Sequence, residues 1–168
     1  MFFYNQNLNT TAPLPPELTQ AATQRWNKLL QAAKSQGVDL PVNALFSAGL
    51  RQVLAFSEFI AKSCTQAPAM AVDLYISGDL ATAYGPDDYD LRLSEKLRET
   101  AAAESDLPGT GKLKQQLASL QRNLRQFRRR EMTRIAWRDL AGWADLEEIM
   151  QDLSTFAEAC IHQTVQHL

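Results

Sequence analysis

LKQQLASLQRNLRQFRRREMTRIAWRDL, residues 113–140, is the stretch of sequence that decides the fold predicted for this chain. At about 100° per residue, its apolar side chains fall within about 40° of one line, which is typical of one face of an amphipathic helix. The segment is therefore predicted to form one long helix with a buried apolar stripe. The members of this stripe are Leu117, Leu120, Leu124, Phe127 and Ile135.

Charged residues interrupt the predicted stripe. Glu131 lies at its centre, Arg138 lies about 20° from that line, and Arg128 and Arg134 lie about 60° to either side. A carboxylate at a buried position has to be paired. Arg128 and Arg134, each three residues from Glu131, are its predicted partners. The other arginines of the helix are predicted to face solvent: Arg122, Arg125, Arg129 and Arg130.

Two interpretations of the inward charges stay open. In the first, Arg128, Glu131, Arg134 and Arg138 form a structural ion-pair cluster that fixes this helix against its neighbours. In the second, the helix faces a site for phosphate or another anion, which guanidinium groups bind by bidentate hydrogen bonds. The same four residues are also candidates for contact with another domain. The two interpretations are compatible.

The rest of the chain has the same helical character. Apolar residues recur at steps of three and four over 17–36, and Ser57 and Asp145 are predicted N-caps of later helices. No alternating β-branched run predicts a strand. The fold is predicted to be all-α, an irregular helical bundle of six or seven helices, with residues 1–16 as an extended arm or flexible tail and 17–168 as a single helical domain.

The last predicted helix, which starts after Asp145, has a second apolar pattern. Cys64 and Cys160 both occupy apolar helical positions, where a buried and unreactive thiol is expected. The inner face of the last helix is predicted to hold Leu146, Ile149, Met150, Leu153, Phe156, Ala157, Cys160 and Ile161.

Composition excludes several classes of function. The chain has 17 Lys and Arg against 19 Asp and Glu, with a formal net charge of −2, and its isoelectric point is about 5.7. A nucleic-acid partner is therefore not expected. No apolar run approaches the roughly 20 residues that span a bilayer, so no membrane partner is expected either. Two cysteines and no secretion signal predict a cytoplasmic protein.

No catalytic or metal-binding constellation is predicted. The acidic pair Asp88 and Asp90 lies at a predicted helix start, where capping explains it. His162 and His167 are separated by about 140° around a helix, which excludes a two-histidine zinc face. The GTGK segment at 109–112 lacks the earlier glycine and the hydroxyl residue of a phosphate-binding loop. No catalytic residue, metal or cofactor is assigned to this chain.

Two segments resemble one enzyme family. LRQFRRREMTRIAWRDLAGWADLEEIMQDLSTFAEACI, residues 124–161, resembles the helical leader of the bifunctional glutamine synthetase adenylyltransferase/adenylyl-removing enzymes, in which an Arg-rich helix precedes an Arg-Asp-Leu…Asp-Leu-Glu segment. FSEFIAKSCTQAPAMAVDLYISGDL, residues 56–80, resembles that family's Ser-Asp/Glu-Phe helix and the turn after it. The first fifty residues carry no part of the resemblance.

The resemblance implies a multifunctional nucleotidyltransferase that regulates nitrogen metabolism. Such an enzyme transfers AMP to and from a tyrosine of glutamine synthetase, uses ATP and magnesium, and responds to glutamine and a PII signal protein. In the family, the first nucleotidyltransferase motif follows the helix that ends at Leu168 here, and residues 1–168 do not supply it. We therefore expect a helical leader, inactive alone, whose partners are the absent nucleotidyltransferase domain, glutamine synthetase and PII. The alternative is a free-standing helical protein-interaction module with no chemistry.

Overall fold

The computed structural model describes residues 15–41, 44–103 and 112–167. These residues form seven α-helices and one short 3₁₀ turn, Asp79–Ala81, and no strand occurs among them. The helices are α1 (Pro16–Ser35), α2 (Ala44–Phe56), α3 (Glu58–Gln66), α4 (Pro68–Ile76), α5 (Asp88–Ala103), α6 (Lys112–Leu140) and α7 (Leu146–Gln166).

The all-α prediction is confirmed, and α6 has almost the bounds that its apolar stripe predicted. The predicted arm over 1–16 lies, up to residue 14, outside the described residues. Within the described ranges, no helix combines the length and the apolar character that crossing a membrane requires.

The chain divides into two compact units. Unit 1 consists of Met1–Thr82 and Ala136–Ala144, and unit 2 consists of Ala83–Ile135 and Asp145–Leu168. The single helical domain predicted over 17–168 stays a prediction.

Unit 1 is built around α1, which packs against α2, α3 and α4. Its core is apolar and includes Leu29, Leu50 and Trp137 from the end of α6. Arg25 of α1 donates from Nη1 to the carbonyl oxygen of Leu54 at 2.6 Å, and so caps carbonyl groups at the end of α2.

Unit 2 contains α5, α7 and most of α6. Its core is aromatic, because Phe127 of α6 stacks on Phe156 of α7 with 6.0 Å between the ring centroids. Leu93, Leu120 and Ile149 of the same unit are also buried. Burial of such large side chains supplies most of the stabilisation of a small helical unit.

Both predicted N-caps are confirmed. Oγ of Ser57 accepts from the backbone N–H of Ile60 at 3.1 Å, and Oδ1 of Asp145 accepts from that of Glu148 at 2.9 Å. Each contact satisfies one of the backbone donors that a helix start leaves without a partner.

Replacing Asp145 by alanine is expected to lower the free energy of unfolding by about 1 kcal/mol, because α7 loses this cap. Urea unfolding measures the change. Asp145→Asn is the matched control, since asparagine keeps the accepting oxygen and should retain most of the stability. Equal losses in both variants would show that the hydrogen bond is not the cause.

The predicted inner face of α7 is partly wrong. Ile149 and Phe156 are buried as predicted, but Leu146, Met150 and Ile161 are 77%, 56% and 66% exposed. The side of α7 that is buried also carries polar residues, because their side chains form hydrogen bonds inside unit 2. The polar residues buried on α7 are Asp152, Thr155 and Gln163.

Candidate functional site

Arg134 is a fully buried charge of unit 2. Arg134 has no exposed surface, and Asp152, whose carboxylate it contacts, is 2% exposed. Nη1 of Arg134 donates to Oδ2 of Asp152 on α7 at 3.0 Å and to the hydroxyl of Tyr89 on α5 at 3.1 Å. Its guanidinium carbon lies 3.4 Å from the centroid of the Tyr84 ring. One side chain of α6 therefore contacts both other helices of the unit through charge-assisted and cation–π contacts.

Aromatic rings enclose this guanidinium group. The Tyr84 and Tyr89 rings meet edge to face with 5.1 Å between centroids, and Tyr89 lies 5.9 Å from Phe156. A second guanidinium, that of Arg92, lies 4.3 Å from the Tyr84 centroid. Burial raises the pKa of Tyr89 far above its usual value, although the charge of Arg134 opposes this shift. The Tyr89 hydroxyl therefore stays protonated at neutral pH.

Glu131 is fully buried at the position that the apolar stripe predicted. Its Oε1 accepts from Nη1 of Arg130 at 2.6 Å, whereas Oε2 has no hydrogen-bond partner among the residues the structure describes. Burial raises the pKa of Glu131, and the charges of Arg130, Arg134 and Arg92 oppose that shift. The carboxylate is thus buried and paired, but with a partner that the helical angles did not predict.

Arg138 makes its contacts in unit 1 and is 3% exposed. Its Nη1 donates to the carbonyl oxygen of Leu80 at 2.7 Å, and its Nη2 donates to that of Trp143 at 3.3 Å. The Trp143 N–H in turn donates to the carbonyl of Arg138 at 2.8 Å. Arg138 therefore fixes the turn after α6 and the segment around Leu80 by satisfying backbone acceptors.

Two arginines of α6 differ from the prediction. Arg128, predicted to face inward, is exposed. Burial raises the pKa of the Cys160 thiol on α7, and the charge of Arg128 opposes that shift. Arg130, predicted to face solvent, is 19% exposed and binds Glu131, because its long side chain bends back from its own position on the helix. Of the other arginines predicted to face solvent, Arg122 and Arg125 are exposed and Arg129 is half-buried.

The contacts favour a structural role for the buried arginines. A soluble anion would have to displace Asp152 from Arg134, or the Leu80 carbonyl from Arg138. Both displacements leave a buried acceptor without its cation, which costs free energy. Anion binding at Arg128, Arg134 or Arg138 stays a prediction.

Asp152, the carboxylate that pairs with Arg134, was not predicted from the sequence. It lies three residues after Ile149 and four before Phe156, so it is a carboxylate on the buried side of an apolar helix. This is the same signal that identified Glu131 on α6. Tyr89 carried no such signal, since a tyrosine at a helical apolar position is unremarkable in a core.

The two aspartates at the start of α5, Asp88 and Asp90, accept hydrogen bonds from different groups. Oδ2 of Asp88 accepts from the N–H of Gly85 at 2.6 Å, and Oδ1 of Asp90 accepts from His162 and Gln163 at 2.7 and 3.0 Å. Burial acts to raise the pKa of Asp90, but these hydrogen bonds outweigh it and hold the pKa below its usual value. In the part of the chain that the structure describes, no group of three or more His, Cys, Asp or Glu is placed to hold a metal ion.

The raised pKa of Glu131 gives a test of its burial by pH. The folded state binds the Glu131 proton more tightly than the unfolded state, so stability from this group falls as the pH rises above the ordinary value of 4.5. The free energy of unfolding of the natural chain, minus that of Glu131→Gln, should therefore decrease from pH 4.5 toward neutrality. Urea unfolding over this range measures the difference. A difference independent of pH would contradict the assigned shift.

Comparison with known proteins identifies the family of this chain. A family model described as glutamate-ammonia ligase adenylyltransferase matches residues 47–168. The bifunctional glutamine synthetase adenylyltransferase/adenylyl-removing enzyme of Nitrosococcus oceani is 36% identical over 135 residues, which are 80% of this chain and 12% of that protein. The protein of the same name from Pseudomonas putida is 33% identical over 162 residues, which are 93% of this chain and 15% of that protein. No solved structure matches the chain significantly.

The matched region contains most of α2 and all of α3 to α7, and it leaves out α1. It includes both segments on which the resemblance rested, 56–80 and 124–161, and therefore the buried charged residues of α6: Glu131, Arg134 and Arg138. The chain spans only a small share, 12% and 15%, of the length of these two relatives. Since the family model covers well over half of the chain, the chain belongs to the glutamate-ammonia ligase adenylyltransferase family.

Proposed function

We propose that this chain is the N-terminal helical part of an enzyme that adenylylates and deadenylylates a tyrosine of glutamine synthetase. The observation that carries the proposal is the coverage: relatives with that activity in their names match 80% and 93% of this chain. The chain in turn spans 12% and 15% of them. So small a share of a long enzyme corresponds to one structural module.

In this proposal the module does no chemistry itself. Three charged residues of α6 are nearly or completely buried, and each contacts other groups of the chain: Glu131, Arg134 and Arg138. A group that acts on substrate has to reach it, whereas these groups hold helices together. The arrangement supports a scaffold for a nucleotidyltransferase domain, and no catalytic residue is assigned within it.

The proposal extends to what the complete enzyme needs. By its family, it would take ATP and magnesium for attaching AMP, because metal ions steady the phosphoryl group in such transfers. It would act in the cytoplasm on glutamine synthetase, under control of glutamine and a PII signal protein. None of these ligands is assigned to a residue of this chain.

The test compares this chain with the product of its complete reading frame. Each is incubated with adenylylated glutamine synthetase and phosphate, and release of the nucleotide is measured. We expect activity only for the longer product. Activity in the 168-residue chain would contradict the absence of chemistry, and an inactive longer product would contradict the enzyme assignment.

The second candidate is a helical interaction module with no chemistry in any context. The exposed apolar residues of α7, such as Leu146 and Ile161, favour it, because they offer a surface for a protein partner. The reading frame separates the two candidates. A frame that continues into a nucleotidyltransferase domain supports the enzyme, and a stop codon after Leu168 supports the module.

A further inference from the structure

One side of α7 exposes a continuous row of apolar residues. Leu146, Ile161 and Val165 are each at least 66% exposed, and Met150 is 56% exposed. Steps of three and four residues place the whole row on one side of the helix. We call this row the α7 stripe, and its members are Leu146, Met150, Leu153, Ala157, Ile161 and Val165, of which Leu153 is half-buried and the others are exposed.

The α7 stripe is distinct from the core side of the same helix. Ile149, Phe156 and Ala159 are buried in unit 2, so the stripe adds nothing to the core that they form. At 1.5 Å per residue, the stripe is about 30 Å long, and at about 10 Å wide it offers roughly 300 Å². Contiguous apolar patches of this size on a single protein often have a binding role.

The edges of the α7 stripe differ in charge. Glu147 and Glu158 are exposed and lie about 60° and about 80° around the helix from the middle of the stripe, on the same side of it. On the opposite edge lies Cys160, whose thiol is near enough to exposed Arg128 of α6 for that charge to act on it. A complementary surface is therefore apolar along its centre and carries lysine or arginine along the edge that meets the two glutamates.

The size of the stripe argues for a partner on the same polypeptide. A stable interface between separate proteins buries about 800 Å² on each side, which is more than twice the area available here. Two surfaces on one chain need far less area, because the linker gives them an effective concentration in the millimolar range. The relatives supply such a chain, since the region matched here is 12% and 15% of their length.

We infer that the α7 stripe docks onto a surface elsewhere in the same longer polypeptide, one with an apolar ridge edged by lysine or arginine. The inference rests on the proposed function, because it needs the longer chain. It places the docking contact on α7, whereas the sequence placed it on the arginine helix. Arg134 and Arg138 are buried within their own units and are poorly placed for such a contact.

The first experiment measures the oxidation of Met150 by hydrogen peroxide, followed by mass spectrometry. In the 168-residue chain, Met150 should oxidise as fast as a methionine placed at Leu91, which is 58% exposed on α5. In the longer polypeptide, Met150 should oxidise at least about tenfold more slowly, as burial in an interface requires, while the Leu91→Met control keeps its rate. An unchanged Met150 rate in the longer polypeptide overturns the docking. Slow oxidation already in the 168-residue chain overturns the choice of partner, because a segment of this chain would then cover the stripe.

The second experiment measures the mass of the 168-residue chain in solution by sedimentation equilibrium. A monomer at micromolar concentration is expected, because the stripe is too small to hold a second copy. A dimer that Met150→Lys with Ile161→Lys dissociates, and that Leu91→Lys leaves intact, overturns the inference in favour of a second copy.

Failure of the docking and failure of the proposed function give different results. A longer polypeptide that removes AMP from glutamine synthetase but oxidises Met150 at the unprotected rate contradicts the docking alone. A reading frame that ends at Leu168 overturns both, since no longer chain then exists.

Discussion

Replacing Arg134 by methionine is expected to lower the free energy of unfolding by about 3–5 kcal/mol, because the substitution leaves a buried carboxylate without its cation. Asp152, the carboxylate concerned, is 2% exposed and accepts from Arg134 at 3.0 Å. Methionine keeps much of the side-chain volume, so the loss reports the charge rather than a cavity. Urea unfolding followed by far-ultraviolet circular dichroism measures it.

Two controls separate the buried pair from a general effect of losing an arginine. Arg128→Met removes an exposed arginine from the same helix and should change the free energy of unfolding by no more than about 0.5 kcal/mol. Arg134→Met combined with Asp152→Leu removes both charges and should recover most of the loss, since an apolar pair of similar size often replaces a buried ion pair at little cost. A double variant less stable than Arg134→Met alone would contradict this account.

Replacing Arg138 by methionine is expected to lower the free energy of unfolding by about 3 kcal/mol, because backbone acceptors of unit 1 lose a charged donor. The principal acceptor is the carbonyl oxygen of Leu80, which lies 2.7 Å from Nη1 of Arg138. Leu80 is only 1% exposed. All three tryptophans of the chain lie in unit 1, and two of them, Trp137 and Trp143, flank Arg138 in the sequence. Urea unfolding followed by tryptophan fluorescence therefore reports this loss directly.

Arg138→Lys is the matched control for this substitution. Lysine keeps the charge but lacks the fork that reaches the carbonyl groups of Leu80 and Trp143 together, so an intermediate loss is expected. A loss below about 0.5 kcal/mol in Arg138→Met would show that solvent satisfies these carbonyl groups equally well.

Much of the fold could be predicted from local sequence features. Gly37 and Gly78 lie two residues after the ends of α1 and α4 and have φ of +65° and +79°, a backbone conformation that glycine adopts without steric cost, so glycine is a local signal for the end of a helix. Ser57 and Asp145 cap helices as predicted. These signals act over one turn of helix, so the residues that carry them are adjacent in the sequence and can be recognised there.

The buried carboxylate of the candidate site could also be predicted. Glu131 interrupts an apolar period, and a period of 3.6 residues alone decides which side of α6 it lies on. Its partner could not be predicted in the same way. Helical angles locate the Cβ atom of Arg130, but its guanidinium lies several rotatable bonds further out and reaches back to Glu131.

The orientation of α7 shows where the apolar pattern was insufficient. The sequence offers two overlapping apolar rows, one through Leu146, Met150 and Ile161 and one through Ile149 and Phe156. Apolar spacing alone favoured a combined face. The structure buries only the second row, because Asp152 has to face Arg134 and brings its side of the helix inward.

The sequence by itself determined that this chain is helical, where several of its helices begin, and that Glu131 is buried. Each of these depends on neighbours within one or two turns, whose spacing is fixed by helix geometry. Only the tertiary structure decided which charges meet. Arg134 finds Asp152 and Tyr89 at separations of 18 and 45 residues along the chain. Such contacts depend on how helices pack and on flexible side chains, and no local spacing encodes either.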